Sequence, residues 1–155
     1  MANNDSFTLS NAVDTKALLD RAQRYCAAAE HCPADVELLL TRQQATREQI
    51  NEVIGILQDM KFIDTGRYCR SFVHDKTAFQ GWGRMKMLMA LRAKRLPESD
   101  IRDALDAIDE SVYAANISKL IRSKRGHDKQ KVMRFLLQRG YTYDDLRQYA
   151  NLSAE

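Results

Sequence analysis

Two runs of cations are the residues best placed to do chemistry in this chain. Arg84, Lys86, Arg92, Lys94 and Arg95 have no acid among them before Pro97. Lys119, Arg122, Lys124, Arg125, Lys129, Lys131, Arg134 and Arg139 follow, with Asp128 as the lone acid between them. Fixed cations in such density neutralise a polyanion, either a nucleic-acid backbone or an acidic protein groove. A solvated helix face is the competing reading, and for the first run the two stand level. For the second, the missing acids favour a binding surface.

Catalytic and metal-binding patterns are weaker. His31, His74 and His127 have no nucleophile at a recognisable spacing. Cys26, Cys32 and Cys69 make no Cys-x-x-Cys pair, and His31 beside Cys32 does not complete a tetrahedral metal set. Gly81-Trp82-Gly83 lacks the third glycine and preceding strand of a dinucleotide loop, and no phosphate-loop Lys-Ser/Thr exists. The acids Glu98, Asp100, Asp103, Asp106, Asp109 and Glu110 lack calcium-loop spacing and are read as partners of the neighbouring basic helix and of their own helix dipole. Neither an enzyme nor a cofactor is expected. Trp82 can stack a base or anchor a partner. The preferred alternative is a staple at a helix start, with the flanking glycines permitting the turn.

The elements that hold these residues are helices. No segment alternates apolar and polar as a half-buried strand does, and 45% hydrophobic content argues for a packed chain. Asp14 can cap a first helix bearing Ala17, Leu18, Ala22, Tyr25 and Ala29; Pro33 opens a second with Val36, Leu39 and Leu40. Thr46 with Gln49 forms a capping box for a third, which turns Ile50, Val53, Ile54 and Leu57 inward and carries Gly55 where a close helix contact would fit. From Asp64 a second triplet presents Tyr68, Cys69, Phe72 and Val73, then Met87, Ala90 and Leu91, then Ile101, Ala104, Leu105 and Ile108. Met85, Met87 and Met89 are read as partly core. From Asp109 a third presents Tyr113, Ala114, Ile117 and Ile121, then Val132, Phe135 and Leu136. Gly140 is its stop, and Thr142 with Asp145 starts a last helix bearing Leu146 and Tyr149.

The triplets align. Leu40, Leu91 and Leu136 correspond, as do Ala45, Leu96 and Tyr141, and Ile50, Ile101 and Leu146. Asp64 matches Asp109, Tyr68 matches Tyr113, Phe72 matches Ile117, Arg84 matches Lys129 and Lys86 matches Lys131. A period of about 45–50 residues marks a helical repeat array, whose units bury a core by stacking. The expected organisation is a flexible arm over 1–13 and three-helix repeats over 14–63, 64–108 and 109–155.

The formal charge of +3 conceals a gradient. Residues 1–63 hold six basic and nine acidic side chains, a net of −3; residues 112–155 hold nine and four, a net of +5. Asymmetry of this kind points to a polyanionic partner. No apolar run reaches membrane-spanning length, and the polar opening is unlike a secretory signal, so a cytoplasmic protein is expected.

The middle stretch holds Phe62-Ile63-Asp64, Arg67-Tyr68-Cys69, Gly81-Trp82-Gly83-Arg84 and Leu91-Arg92-Ala93-Lys94, with Ile101 and Ala104-Leu105 after them. In these motifs it resembles the RecX family of bacterial regulators of the recombinase RecA. The likeness continues through Asp128-Lys129-Gln130-Lys131 and Phe135-Leu136-Leu137-Gln138-Arg139-Gly140-Tyr141, and spans roughly 16–150. Thr65-Gly66 departs from the family's usual acids after Asp64, and Arg95-Leu96 stands where glycine then isoleucine is common. The first triplet lacks the usual basic residues. The resemblance implies tandem three-helix repeats in an elongated, curved array. It further implies binding along the groove of the RecA–DNA filament, inhibition of ATP hydrolysis and strand exchange, promotion of filament loss, and no cofactor; a monomer is expected. A stand-alone, sequence-neutral DNA-binding module is the alternative. On either reading single- or double-stranded DNA is a partner and the thirteen cations above are the expected contact surface. Asp64, Gly81, Trp82 and Gly83 are the expected structural motif.

Overall fold

The computed structural model describes residues 13–150. They form an all-α, helical-repeat fold. In order the helices are α1 (Thr15–Ala28), α2 (Pro33–Arg42), α3 (Arg47–Asp59), α4 (Thr65–Gln80), α5 (Arg84–Ala93), α6 (Glu98–Asp106), α7 (Glu110–Ser123), α8 (Lys129–Gln138) and α9 (Tyr143–Ala150). The chain divides into two compact units between Tyr68 and Cys69, inside α4.

Short polar residues set most helix starts by accepting otherwise orphaned backbone N–H groups. Asp14 accepts from Lys16 at 3.1 Å, and Asp64 from Arg67 at 2.8 Å. Thr46 and Gln49 satisfy each other's backbone at 3.1 and 3.0 Å, and Thr142 and Asp145 do so at 3.1 and 2.9 Å.

Three turns close alike. The N–H of Ala45, Leu96 and Tyr141 donates to the carbonyl of Leu40, Leu91 and Leu136 respectively. The residue before each donor is left-handed: Gln44 at φ 62°, Arg95 at φ 59° and Gly140 at φ 100°. The correspondences read from sequence thus share one local geometry, and Arg95 adopts there a conformation that glycine enters more readily.

The first unit packs Leu18 and Ala22 of α1, Val36 and Leu40 of α2, and Ile50, Val53 and Leu57 of α3, sealed by Ile63. Arg67 at the start of α4 donates to Glu30 at 2.6 Å and to the Phe62 carbonyl at 3.2 Å. The Phe-Ile-Asp and Arg-Tyr-Cys motifs are therefore packing and capping residues. The second unit buries Met87 and Leu91 of α5, Ile101 of α6, Tyr113 and Ile117 of α7, Leu136 of α8 and Leu146 of α9.

Several expectations need correction. Ala17 and Ala29 are exposed, and Ala29 caps the end of α1 in extended conformation. Ile54, Phe72, Ala90, Ala114 and Ile121 are only partly buried, at the edges of their stripes. A Cβ on Gly55 would meet nothing within 4 Å, so no close helix contact explains that glycine. Of the methionines, Met87 is buried, whereas Met85 and Met89 are exposed. Val13, assigned to the arm, packs on the first core and its carbonyl accepts from Gln49 at 2.7 Å. The rest of that arm, residues 1–12, lies outside the described residues.

Candidate functional site

The break between α4 and α5 is built by close backbone approach. Gly83 has ordinary extended dihedrals (φ −79°, ψ 163°). A Cβ there would nevertheless sit 2.2 Å from the Gly140 carbonyl carbon and 2.4 Å from the Tyr141 nitrogen. A Cβ on Gly140 would sit 2.4 Å from that of Lys86. Across this contact Gly83 N–H donates to the Arg139 carbonyl at 2.8 Å, and Met85 N–H to the Gly140 carbonyl at 3.0 Å. Two glycines far apart in sequence thus pin the start of α5 to the end of α8 through main chain alone. Gly81, at φ 61°, makes the turn that leaves α4. Its carbonyl accepts from the Tyr141 hydroxyl at 2.7 Å. Burial pushes that phenol up to about 12.

Arg84 and Arg139 take part in this junction. Arg84 N–H donates to the Tyr113 hydroxyl at 3.0 Å, which in turn donates to Asp145 at 3.0 Å. The Arg84 guanidinium lies 4.2 Å from the centre of the Tyr113 ring and pairs with Glu110 at 2.5 Å. Burial raises the Tyr113 phenol well above its usual range. Tyr149 donates to Glu110, and its own phenol is raised chiefly by that bond. The Arg139 guanidinium donates to the Gln80 carbonyl and lies 5.8 Å from the Phe135 ring centre. Arg92 grips Glu98 through two nitrogens at 2.6 and 3.1 Å. These three arginines, expected to face a partner, hold the fold's own groups. Lys94 and Arg95, partly exposed and exposed, end α5.

The cations of α7 and α8 are placed differently. Lys119, Arg122, Arg125, Lys129, Lys131 and Arg134 are exposed. Lys119 and Arg122, and again Lys131 and Arg134, are three apart and share a helix face away from the buried Ile117 and from Val132 and Leu136. Lys124 lies 4.3 Å from the Phe135 ring centre, so it and Arg139 converge on one aromatic. Asp128 is the one acid among them, and Lys131 and Arg134 also act on its carboxylate. Its carboxylate accepts the Lys131 backbone N–H at 3.0 Å as the α8 cap, and backbone bonds from Lys131 and Gln130 hold it below the usual carboxylate range. Eight cations against one committed acid leave residues 119–139 at a formal +7.

Trp82 is partly buried and held edge-on by Phe72, with ring centres 6.1 Å apart. Two ammonium groups lie over its indole: Lys86 at 4.4 Å and Lys76 at 4.6 Å from the ring centre. Lys76 is the residue that sequence reasoning passed over. Its i, i+4 spacing from Phe72, which it also overlies at 5.4 Å, was the available signal. Among the described residues no helix is long and apolar enough to cross a membrane, and no cluster of three or more His, Cys, Asp or Glu stands ready for a metal.

Comparison with known proteins bears directly on this arrangement. The family model of the RecX second three-helix domain matches residues 66–105, the stretch that carries the Gly-Trp-Gly-Arg break. A protein of Prosthecochloris aestuarii named Regulatory protein RecX is 25% identical over 139 residues, covering 87% of this chain and 92% of its own. One of the same name from Leptothrix cholodnii is 29% identical over 143 residues, covering 88% and 89%. Among solved structures, a regulatory protein RecX superposes with a TM-score of 0.79 at 21% identity, covering 97% of this chain and 80% of its own. RecX from Lactobacillus salivarius superposes at 0.76 and 19% identity, covering 88% and 94%. Residues 66–105 thus match the RecX second three-helix domain, most of the chain is similar in sequence to proteins named Regulatory protein RecX, and its fold is that of the solved RecX structures.

Proposed function

We propose that this protein is a non-enzymatic regulator of the recombinase RecA, chiefly an inhibitor. It binds along the groove of the RecA–DNA filament and suppresses ATP hydrolysis, strand exchange and filament growth. The observation that carries the reading is similarity along nearly the whole chain to proteins named Regulatory protein RecX. The eight cations against one acid in residues 119–139 support it, because a RecA–DNA filament offers acidic protein and phosphate together. The exposed members of α7 and α8 are the contact residues, with Lys124 joining them at Phe135. Arg84, Arg92 and Arg139 contribute by holding the scaffold, as their internal partners indicate.

Adding the protein to RecA on single-stranded DNA tests this. ATP hydrolysis should fall at or below equimolar ratio to RecA, and an unchanged rate overturns the reading. Reversing Lys124, Lys129, Lys131 and Arg134 to Glu should abolish the effect while helix content is retained.

A further inference from the structure

We propose that Lys76, Trp82 and Lys86 form a phosphate clamp that grips the backbone of a nucleic-acid strand at the α4–α5 break. The proposal rests on the DNA-contacting part of the proposed function and adds a site outside the α7–α8 cations.

Two like charges converge on one ring here. Both ammonium groups lie over one indole, so the nitrogens are within 9.0 Å of each other, the sum of their distances to the ring centre. Among the described residues, no carboxylate pairs with either. Asp75, the neighbour of Lys76, is engaged with His74 at 3.3 Å. Each nitrogen therefore keeps its N–H donors for an outside acceptor. The indole attracts both cations through its ring face and restrains two side chains that would otherwise sweep freely. The platform is braced by contacts. Trp82 N–H donates to the Lys76 carbonyl at 3.1 Å, and Gly140 packs its backbone against Lys86. Phe72 buttresses the ring. Two restrained ammonium groups no more than 9.0 Å apart can each donate to an oxygen of one phosphate diester or of two neighbouring ones. Because the lysines overlie the ring, the indole acts as their support and not as a surface for a base.

Trp82 is the chain's single tryptophan, so its emission reports on the site directly. The protein is titrated with oligothymidylate, with an abasic deoxyribose-phosphate strand of equal length, and with polyglutamate of equal charge. Both phosphate strands should change Trp82 emission and lose affinity with salt; polyglutamate should not. Lys76→Gln with Lys86→Gln should lower the salt slope by roughly 1.4 and weaken oligothymidylate binding ~25-fold at 0.1 M salt, at about 0.7 per single-strand phosphate. Lys16→Gln, in the first unit, should change neither. An unchanged slope in the double variant with a native urea midpoint overturns the clamp while leaving the regulator reading intact. A response to oligothymidylate but not to the abasic strand overturns it in favour of base stacking, and an equal response to polyglutamate in favour of an acidic protein. A wild-type protein that binds no DNA overturns the clamp and the DNA-contacting part of the proposed function together.

Discussion

Replacing Gly83 with alanine tests the main-chain junction with a single methyl group. The backbone at Gly83 suits any residue (φ −79°, ψ 163°), so alanine adds no conformational strain and the whole effect is collision. The new Cβ would lie 2.2 Å from the Gly140 carbonyl carbon and 2.3 Å from its oxygen. Carbon atoms rest about 3.5 Å apart, so the two backbones must separate by about 1.3 Å. That stretches the Gly83–Arg139 and Met85–Gly140 hydrogen bonds, now 2.8 and 3.0 Å, beyond bonding range. Losing both costs about 2 kcal/mol, and forcing a methyl into a filled contact adds about 1–3 kcal/mol. The expected loss is ~3–5 kcal/mol, a large share of the ~5–15 kcal/mol that stabilises a typical domain. Urea unfolding followed by Trp82 emission reads the second unit. At a slope of about 2 kcal/mol per molar the midpoint should drop by roughly 2 M. Gly126→Ala is the control: Gly126 sits at φ 93° with nothing within 4 Å of a Cβ, so its cost is conformational, about 1–2 kcal/mol. A Gly83→Ala midpoint equal to wild type, or above that of Gly126→Ala, would refute the reasoning.

Other perturbations have different signs. Tyr113→Phe removes the hydroxyl that links Arg84 N–H to Asp145. It leaves a partly buried donor unmet, and urea unfolding should record a loss of about 1–3 kcal/mol. Gly55→Ala should stabilise, by up to about 1 kcal/mol, because a helical glycine with open space beside it gains propensity and loses unfolded-state freedom. A destabilised variant would reveal a contact there. Asp128 titrates below its usual value, so its contribution to stability is complete above the unfolded carboxylate pKa of about 3.9 and fades as pH falls through the lower folded value. Asp128→Asn keeps the cap at neutral pH, and the acid limb of stability against pH, measured by urea unfolding, should flatten.

The helices were legible because the determinants of their ends are local. Thr46 with Gln49, Thr142 with Asp145, Asp14 and Asp109 are short-range caps, and each bonds the backbone its spacing predicts. The aligned leucines and isoleucines were legible for the same reason, since burial at helical spacing recurs once per triplet. What escaped were contacts between distant segments. Nothing near Gly83 in sequence announces Gly140, nor does Arg84 announce Glu110 and Tyr113. A charge count alone cannot separate an arginine held by an internal acid from an exposed one. This is why Arg84, Arg92 and Arg139 were grouped with Lys131 and Arg134. Trp82 was read as a staple, and Phe72 does brace it, but the lysine from the preceding helix became visible only in three dimensions. The empty surroundings of Gly55 show the converse error, a tight contact inferred from composition where none exists.

The most direct test of the account is the rate of ATP hydrolysis by RecA on single-stranded DNA as this protein is titrated in. A dose-dependent fall that disappears when Lys124, Lys129, Lys131 and Arg134 are reversed to Glu is the predicted result. A rate indifferent to the wild-type protein, or suppressed equally by the charge-reversed one, would contradict it.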